Sequence, residues 1–239
     1  MYLQDYYQNA HGSLSISREQ ASDFAKRIAG DFNPIHDATA KRFCVPGDLL
    51  FALVLNRSGL RERMKFTFAG MVGEGAQLRF PEQPVDRVSG FSITDDNGKQ
   101  YLEIECDGGH SSDPRLIHAL SKHYVEFSGQ TFPHILVPLM ASHDVMINPE
   151  RPLVMYESMI IDMDRLEVED PVLSLAKTEL EVDGKRGKAC IEFDIMESGD
   201  KVGRGKKNLV LSGLRPFVQS EIDLLINSYR ERKQTYANS

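Results

Sequence analysis

The chain has 239 residues and a formal net charge of −7, enough length for one large domain or two small ones. Its 41% hydrophobic and 26% charged residues match a soluble globular composition. The negative balance argues against a dedicated nucleic-acid binder, which needs clustered Lys and Arg. Cys44, Cys106 and Cys190 are too few and too scattered for a disulfide framework or a metal site, which points to a reducing compartment. Met1 to Tyr7 lacks the basic and apolar regions of a secretory signal, and no apolar run approaches a membrane span. The expectation is a cytoplasmic protein with no membrane or nucleic-acid partner.

Ser13 to Ser17 reads as a short strand or an extended lead-in. Ser17-Arg18-Glu19-Gln20 fits a capping box, with Ser17 as N-cap and Gln20 reaching back. Ala21, Phe24, Ala25, Ile28 and Ala29 follow at helical spacing, and Gly30 is a natural stop. A second helix is expected from Pro46 to about Asn56, with Pro46 at its first position and Asp48 at the positive end of the dipole. Its run from Leu49 to Leu55 is apolar on nearly all sides, as in a helix buried all round. Strands are expected at Lys65–Ala69, Gly75–Phe80, Val88–Thr94 and Gln100–Cys106, with Asn97-Gly98 as a hairpin turn.

Asp107 to Pro114 is rich in turn formers and divides the chain into residues 1–113 and 114–239. The order of elements then partly recurs. An extended segment at Tyr124–Phe127 precedes a mostly apolar stretch from Pro133 to about Val145. Strands follow at Leu153–Asp162, Val172–Val182, Lys188–Met196 and Lys206–Leu211, with Asp183-Gly184 as a turn. Residues 216–234 form an amphipathic C-terminal helix carrying Phe217, Ile222, Leu225, Ile226 and Tyr229 on one side. Each half reads as a buried helix followed by an antiparallel sheet, an α+β arrangement. Two such sheets can pair edge to edge and so cover exposed edges.

The most informative segment is Gly30-Asp31-Phe32-Asn33-Pro34-Ile35-His36. Asn33-Pro34 forces a turn, because the residue before a proline leaves the α region. Asp31 and His36 can then fold back toward one another and hold a water between them. Such a pair suits general acid–base chemistry near neutral pH, with the carboxylate fixing the imidazole tautomer.

This heptad, with its preceding helix and the buried helix after it, resembles the hydratase motif of MaoC-like proteins. These are the (R)-specific enoyl-thioester hydratases and dehydratases of the hot-dog fold. Phe66 to Gly75 also resembles the strand and turn that follow the helix in that family. The resemblance covers roughly residues 13–106, and the element order of the second half extends it to a double hot-dog chain.

The resemblance implies a fold of two central helices wrapped by curved antiparallel sheets. It also implies reversible hydration of a trans-2-enoyl thioester to a 3-hydroxyacyl thioester. Asp31 and His36 would activate the water, Asn33 and Pro34 would shape the loop, and the Gly47 N–H would polarise the thioester carbonyl, with Asn33 and Gly47 as the substrate-binding residues. The carrier would be coenzyme A or an acyl carrier protein. Neither a metal nor a separate cofactor is implied, and a homodimer is common for such chains.

The sequence departs from the family at three places. The segment from His36 to the helix is short, Pro46-Gly47-Asp48 replaces the family's His-Gly-Met, and Leu55 stands where a supporting serine is common. Asp48 would oppose enolate charge unless its carboxylate turns away. The rival readings are a non-catalytic acyl-thioester binder, a structural module and, more weakly, a thioesterase. Lys185 to Lys188 and Lys201 to Lys207 read as solvated, hairpin-associated basic patches. His134 and His143 fall on different helix faces and share no metal.

Overall fold

The computed structural model describes residues 3–10, 12–81, 89–150 and 153–237. The chain folds as an α+β double hot-dog. Strand β1 (Gln8–Ala10) pairs with β2 (Ser13–Ser15) ahead of helix α1 (Arg18–Asp23). Both halves of the capping box form: the Gln20 N–H donates to Ser17 Oγ at 3.2 Å, and the Ser17 N–H donates to Gln20 Oε1 at 3.0 Å. The last turns of α1 widen over Phe24–Ala29, and Gly30, at φ +65°, ends the helix in the left-handed region. Asp31 therefore lies one residue beyond the helix end, as expected.

Helix α2 (Gly47–Ser58) starts one residue later than its sequence suggests, because Pro46 is extended and serves as the N-cap residue. Leu49, Phe51, Ala52, Leu53, Val54 and Leu55 are fully buried. The strands around it are β3 (Leu60–Phe68), β4 (Gly90–Thr94) and β5 (Gln100–Ser111). Gly75–Phe80 is not a strand: this stretch makes only isolated bridges, Leu78 to Leu14 and Arg79 to Thr94. Val88 lies outside the described residues, and the strand expected there is seen from Gly90. The turn formers after Cys106 do not break the chain, since β5 continues through Gly108-Gly109 to Ser111.

Helix α3 (Pro114–Gly129) follows, with Asp113 capping it by accepting the Arg115 N–H at 2.9 Å. It overturns the extended segment expected at Tyr124–Phe127. Leu116, Leu120, Tyr124 and Val125 recur at helical spacing and are all buried. The apolar stretch from Pro133 is helical but broken, a wide turn at Phe132–Leu136 leading into α4 (Val137–Ala141). Strand β6 (Val145–Met146) ends it.

Four long strands complete the fold: β7 (Leu153–Met163), β8 (Val172–Asp183), β9 (Arg186–Glu197) and β10 (Asp200–Ser212). They join the first set in one seven-stranded antiparallel sheet of order β4-β5-β3-β7-β10-β9-β8. The seam is the antiparallel pairing of β3 with β7, from Arg63 opposite Asp162 to Thr67 opposite Ser158. The expected edge-to-edge junction is thus present. Short β11 (Arg215–Pro216) pairs with β6 and leads into helix α5 (Gln219–Ala237). No helix among the described residues is long and apolar enough to cross a membrane.

Candidate functional site

The motif loop is built from the α1 end outward. The Asp31 N–H donates to the Ala25 carbonyl at 2.8 Å, and Asp31 Oδ1 accepts the Asn33 N–H at 2.9 Å. Asn33 in turn caps the single turn Pro34–His36 by accepting the Ile35 N–H at 3.2 Å. Asn33 thereby fixes the turn that carries His36. The fold-back places Asp31 Oδ2 3.7 Å from His36 Nε2.

His36 Nδ1 lies 2.7 Å from the Cys44 carbonyl oxygen. A carbonyl can only accept, so Nδ1 carries the proton and neutral His36 presents a bare Nε2. The tautomer is therefore fixed by Cys44 and not by Asp31, which corrects the sequence expectation. Two acceptors 3.7 Å apart do not bond one another, but one water can donate to both.

Asp31, His36 and Gly47 line one cavity of about 440 Å³ whose walls are mostly apolar. That volume lies within the range of small-molecule pockets. Gly47 begins α2, where first-turn N–H groups lack intrahelical acceptors. A Cβ at Gly47 would sit 2.9 Å from Tyr156 Cδ2 and 3.1 Å from Phe68 Cε1. The glycine is thus required by two aromatic rings of this chain, whatever its N–H does.

A second polar cluster shares the cavity; of its members the sequence singles out Asp48 and places Lys207 in a solvated patch. Asp48 turns inward, so its charge is not left facing the cavity alone. Its Oδ2 accepts Ser128 Oγ–H at 2.6 Å and its Oδ1 accepts Tyr156 Oη–H at 2.5 Å. Lys207 Nζ donates to Ser128 Oγ at 2.8 Å, with Thr131 Oγ1 at 3.5 Å, and lies 4.2 Å over the Tyr156 ring. Ser128 Oγ and Tyr156 Oη also touch.

Asp48 is 5% exposed and Lys207 3%. Burial raises the Asp48 carboxyl above its ordinary range, opposed by the charge of Lys207. Burial pulls the Lys207 ammonium down to about 8, opposed by Asp48 and Asp31. Lys207 is therefore not part of a solvated basic patch. It points inward from the middle of β10, opposite Met159 and Ile191, in phase with the buried Leu209 and Leu211. That alternation was readable in the sequence.

Helix α5 clamps the motif loop from outside. Tyr229 Oη lies 2.8 Å from the Gly30 carbonyl oxygen and 3.2 Å from that of Gly129. Arg232 and Lys26 both pair with Asp37, immediately after His36. Gly129 packs so tightly on α1 that a Cβ would overlap the Ala29 carbonyl. This contact brings the Ser128 end of α3 beside the Asp31 loop.

The chain is similar to several solved structures. One is acyl-CoA thioesterase II TesB2 from Mycobacterium marinum, at 8% identity and TM-score 0.42, covering 92% of this chain and 99% of the other. Another is a MaoC-like dehydratase, at 10% identity and TM-score 0.43, covering 85% and 97%. A third is an acyl-ACP thioesterase from Bacteroides thetaiotaomicron VPI-5482, at 12% identity and TM-score 0.36, covering 70% and 90%. Likenesses this distant assign no reaction to the chain. No curated protein matches it. The family described as "Protein of unknown function (DUF3581)" matches residues 1–220, and the chain belongs to that family.

Proposed function

We propose that this DUF3581 protein is an enzyme that hydrates trans-2-enoyl thioesters reversibly to 3-hydroxyacyl thioesters. The observation that carries the reading is the Asp31–His36 pair. Asp31 Oδ2 and the bare Nε2 of His36 stand 3.7 Å apart on the wall of a largely apolar cavity. A water donating one hydrogen to each keeps its lone pairs free for the β-carbon of the enoyl group. As its oxygen adds, one proton passes to one of the two bases. A proton returned to the α-carbon completes the addition. The Gly47 N–H, at the positive end of α2, is the donor for the enolate oxygen in this reading.

The proposed carrier is coenzyme A or an acyl carrier protein, the proposed compartment the cytoplasm and the proposed assembly a homodimer. Residues 1–113 and 114–239 are its two hot-dog units. Positioned acid–base groups typically contribute about 10²–10⁴-fold. Asp31→Asn and His36→Ala should each lower hydration by that order while leaving the far-UV circular dichroism unchanged. The assay follows the conjugated enoyl absorbance of short, medium and long enoyl-CoA substrates. Absence of hydration by the wild-type protein across all three would refute the reading.

A further inference from the structure

The second polar cluster of the same cavity takes no step in the hydration described above. It places a hydroxyl and an amine together in a water-poor site, which acid–base positioning of a water does not require. Ser128 and Lys207 are 6% and 3% exposed, yet both line the cavity. Their Oγ and Nζ atoms are 2.8 Å apart, within the reach expected of a nucleophile and its base. Third groups orient the base: Thr131 Oγ1 at 3.5 Å and the Tyr156 ring at 4.2 Å.

We infer that Ser128 and Lys207 form a nucleophile–base dyad that hydrolyses acyl thioesters through an acyl-Ser128 intermediate in this same cavity. The inference shares the thioester substrate class, the cavity and the Gly47 N–H with the hydration reading, and uses a different nucleophile and base.

The heavy-atom chain Lys207 Nζ, Ser128 Oγ, Asp48 Oδ2 supports two proton arrangements. In one, the ammonium donates to Ser128, which donates to an ionised Asp48. Moving one proton along each link gives a neutral amine that accepts the Ser128 proton and an Asp48 carboxyl that carries its own. Burial brings the second arrangement within reach from both ends, raising Asp48 and lowering Lys207 to about 8. The cluster's net charge is the same in both, so the free base is reached without burying an extra charge.

From that arrangement Ser128 Oγ attacks the thioester carbonyl carbon while its proton passes to Lys207 Nζ. The C–S bond breaks and the leaving thiolate takes the proton from Lys207. A water then attacks the Ser128 ester, giving a proton to Lys207. The acyl–oxygen bond breaks and Ser128 Oγ recovers that proton. Thioester and water have become a carboxylic acid and a free thiol. The Gly47 N–H, in the first turn of α2 on the same cavity, is the donor for the oxyanion.

The test uses the full chain with octanoyl-CoA and a fluorophosphonate probe. The wild-type protein should release free thiol, and peptide mass mapping should place the fluorophosphonate adduct on Ser128. Ser128→Ala should lose the adduct and at least about 10²-fold of the thiol release. Ser128→Cys, nearly isosteric, guards against an unfolded variant and should carry a mappable acyl group at position 128 after octanoyl-CoA. Thiol release that survives Ser128→Ala, or a position 128 that neither probe labels, overturns the inference. Hydration of short, medium and long enoyl-CoA substrates is followed in parallel. Hydration without any Ser128 adduct sinks the dyad alone, whereas Ser128-dependent thiol release without hydration sinks the hydratase reading alone.

Discussion

At the residue scale, the Asp48–Lys207 cluster stores an electrostatic debt that only its partners settle. Removing one member of a buried charge pair leaves the other uncompensated and typically costs about 3–5 kcal/mol. Lys207→Met and Asp48→Asn should each destabilise the fold by that order in denaturant unfolding. The double variant should cost clearly less than the two together, because neither charge is then buried alone. Additive costs would mean that the two groups do not sense one another.

The pair also makes stability depend on pH. The Lys207 ammonium is held near 8 in the fold against an ordinary 10.5, so between those values the unfolded chain binds the proton more tightly. Its contribution to stability therefore rises as pH climbs from about 8 toward 10.5, and is absent below 8. Lys207→Met should flatten that rise in urea titrations run across the window. Little of this cluster was legible beforehand, because Ser128, Tyr156 and Lys207 come from three distant elements. The Asp31–His36 pair was legible because both residues sit on one seven-residue loop whose proline dictates the turn.

At the element scale, the end of α1 and the end of α3 pack closely beside the cavity that Asp31 and Ser128 both line. Gly129 allows it, since any Cβ there would overlap the Ala29 carbonyl oxygen. Gly129→Ala must push the helices apart or distort one of them, and overpacking of this kind typically costs about 1–3 kcal/mol. A fall in the denaturation midpoint is expected. An unchanged midpoint would show that the close approach is not needed.

Helix α5 closes the same contact from outside. Tyr229→Phe removes the hydroxyl shared by the Gly30 and Gly129 carbonyls and should cost about 1–3 kcal/mol if both remain dry. Thermal unfolding measures that loss.

The elements themselves were mostly readable. Capping by Ser17, the stop at Gly30 and the hairpin turns at Gly98 and Gly184 are local signals that the fold keeps. Helix α3 was missed because the β-branched and aromatic residues between Tyr124 and Phe127 read locally as a strand. The four-residue recurrence of Leu116, Leu120 and Tyr124, with Asp113-Pro114 ahead of it, carries the opposite period.

At the scale of the whole molecule, the two halves share a core and not merely a sheet edge. Phe51 of α2 packs on Phe66 of β3 at 5.2 Å between ring centroids, and on Tyr124 of α3 at 4.5 Å. Tyr124 continues to Phe193 of β9 at 5.9 Å. One apolar cluster thus runs from the first half into the last strands of the second, and the β3–β7 ladder closes the sheet over it. Separating the halves would expose the fully buried Phe51 and Tyr124 faces and leave β3 as an unpaired edge. Two hot-dog units joined this way should unfold in one transition although the chain could be cut between them in sequence. Near-ultraviolet tyrosine dichroism and far-ultraviolet dichroism should therefore trace coincident curves in urea. A fragment of residues 1–113 should show no cooperative transition of its own. Two resolved transitions, or a fragment that unfolds cooperatively, would mean that each unit holds its own core and that the cavity between them is secondary to both.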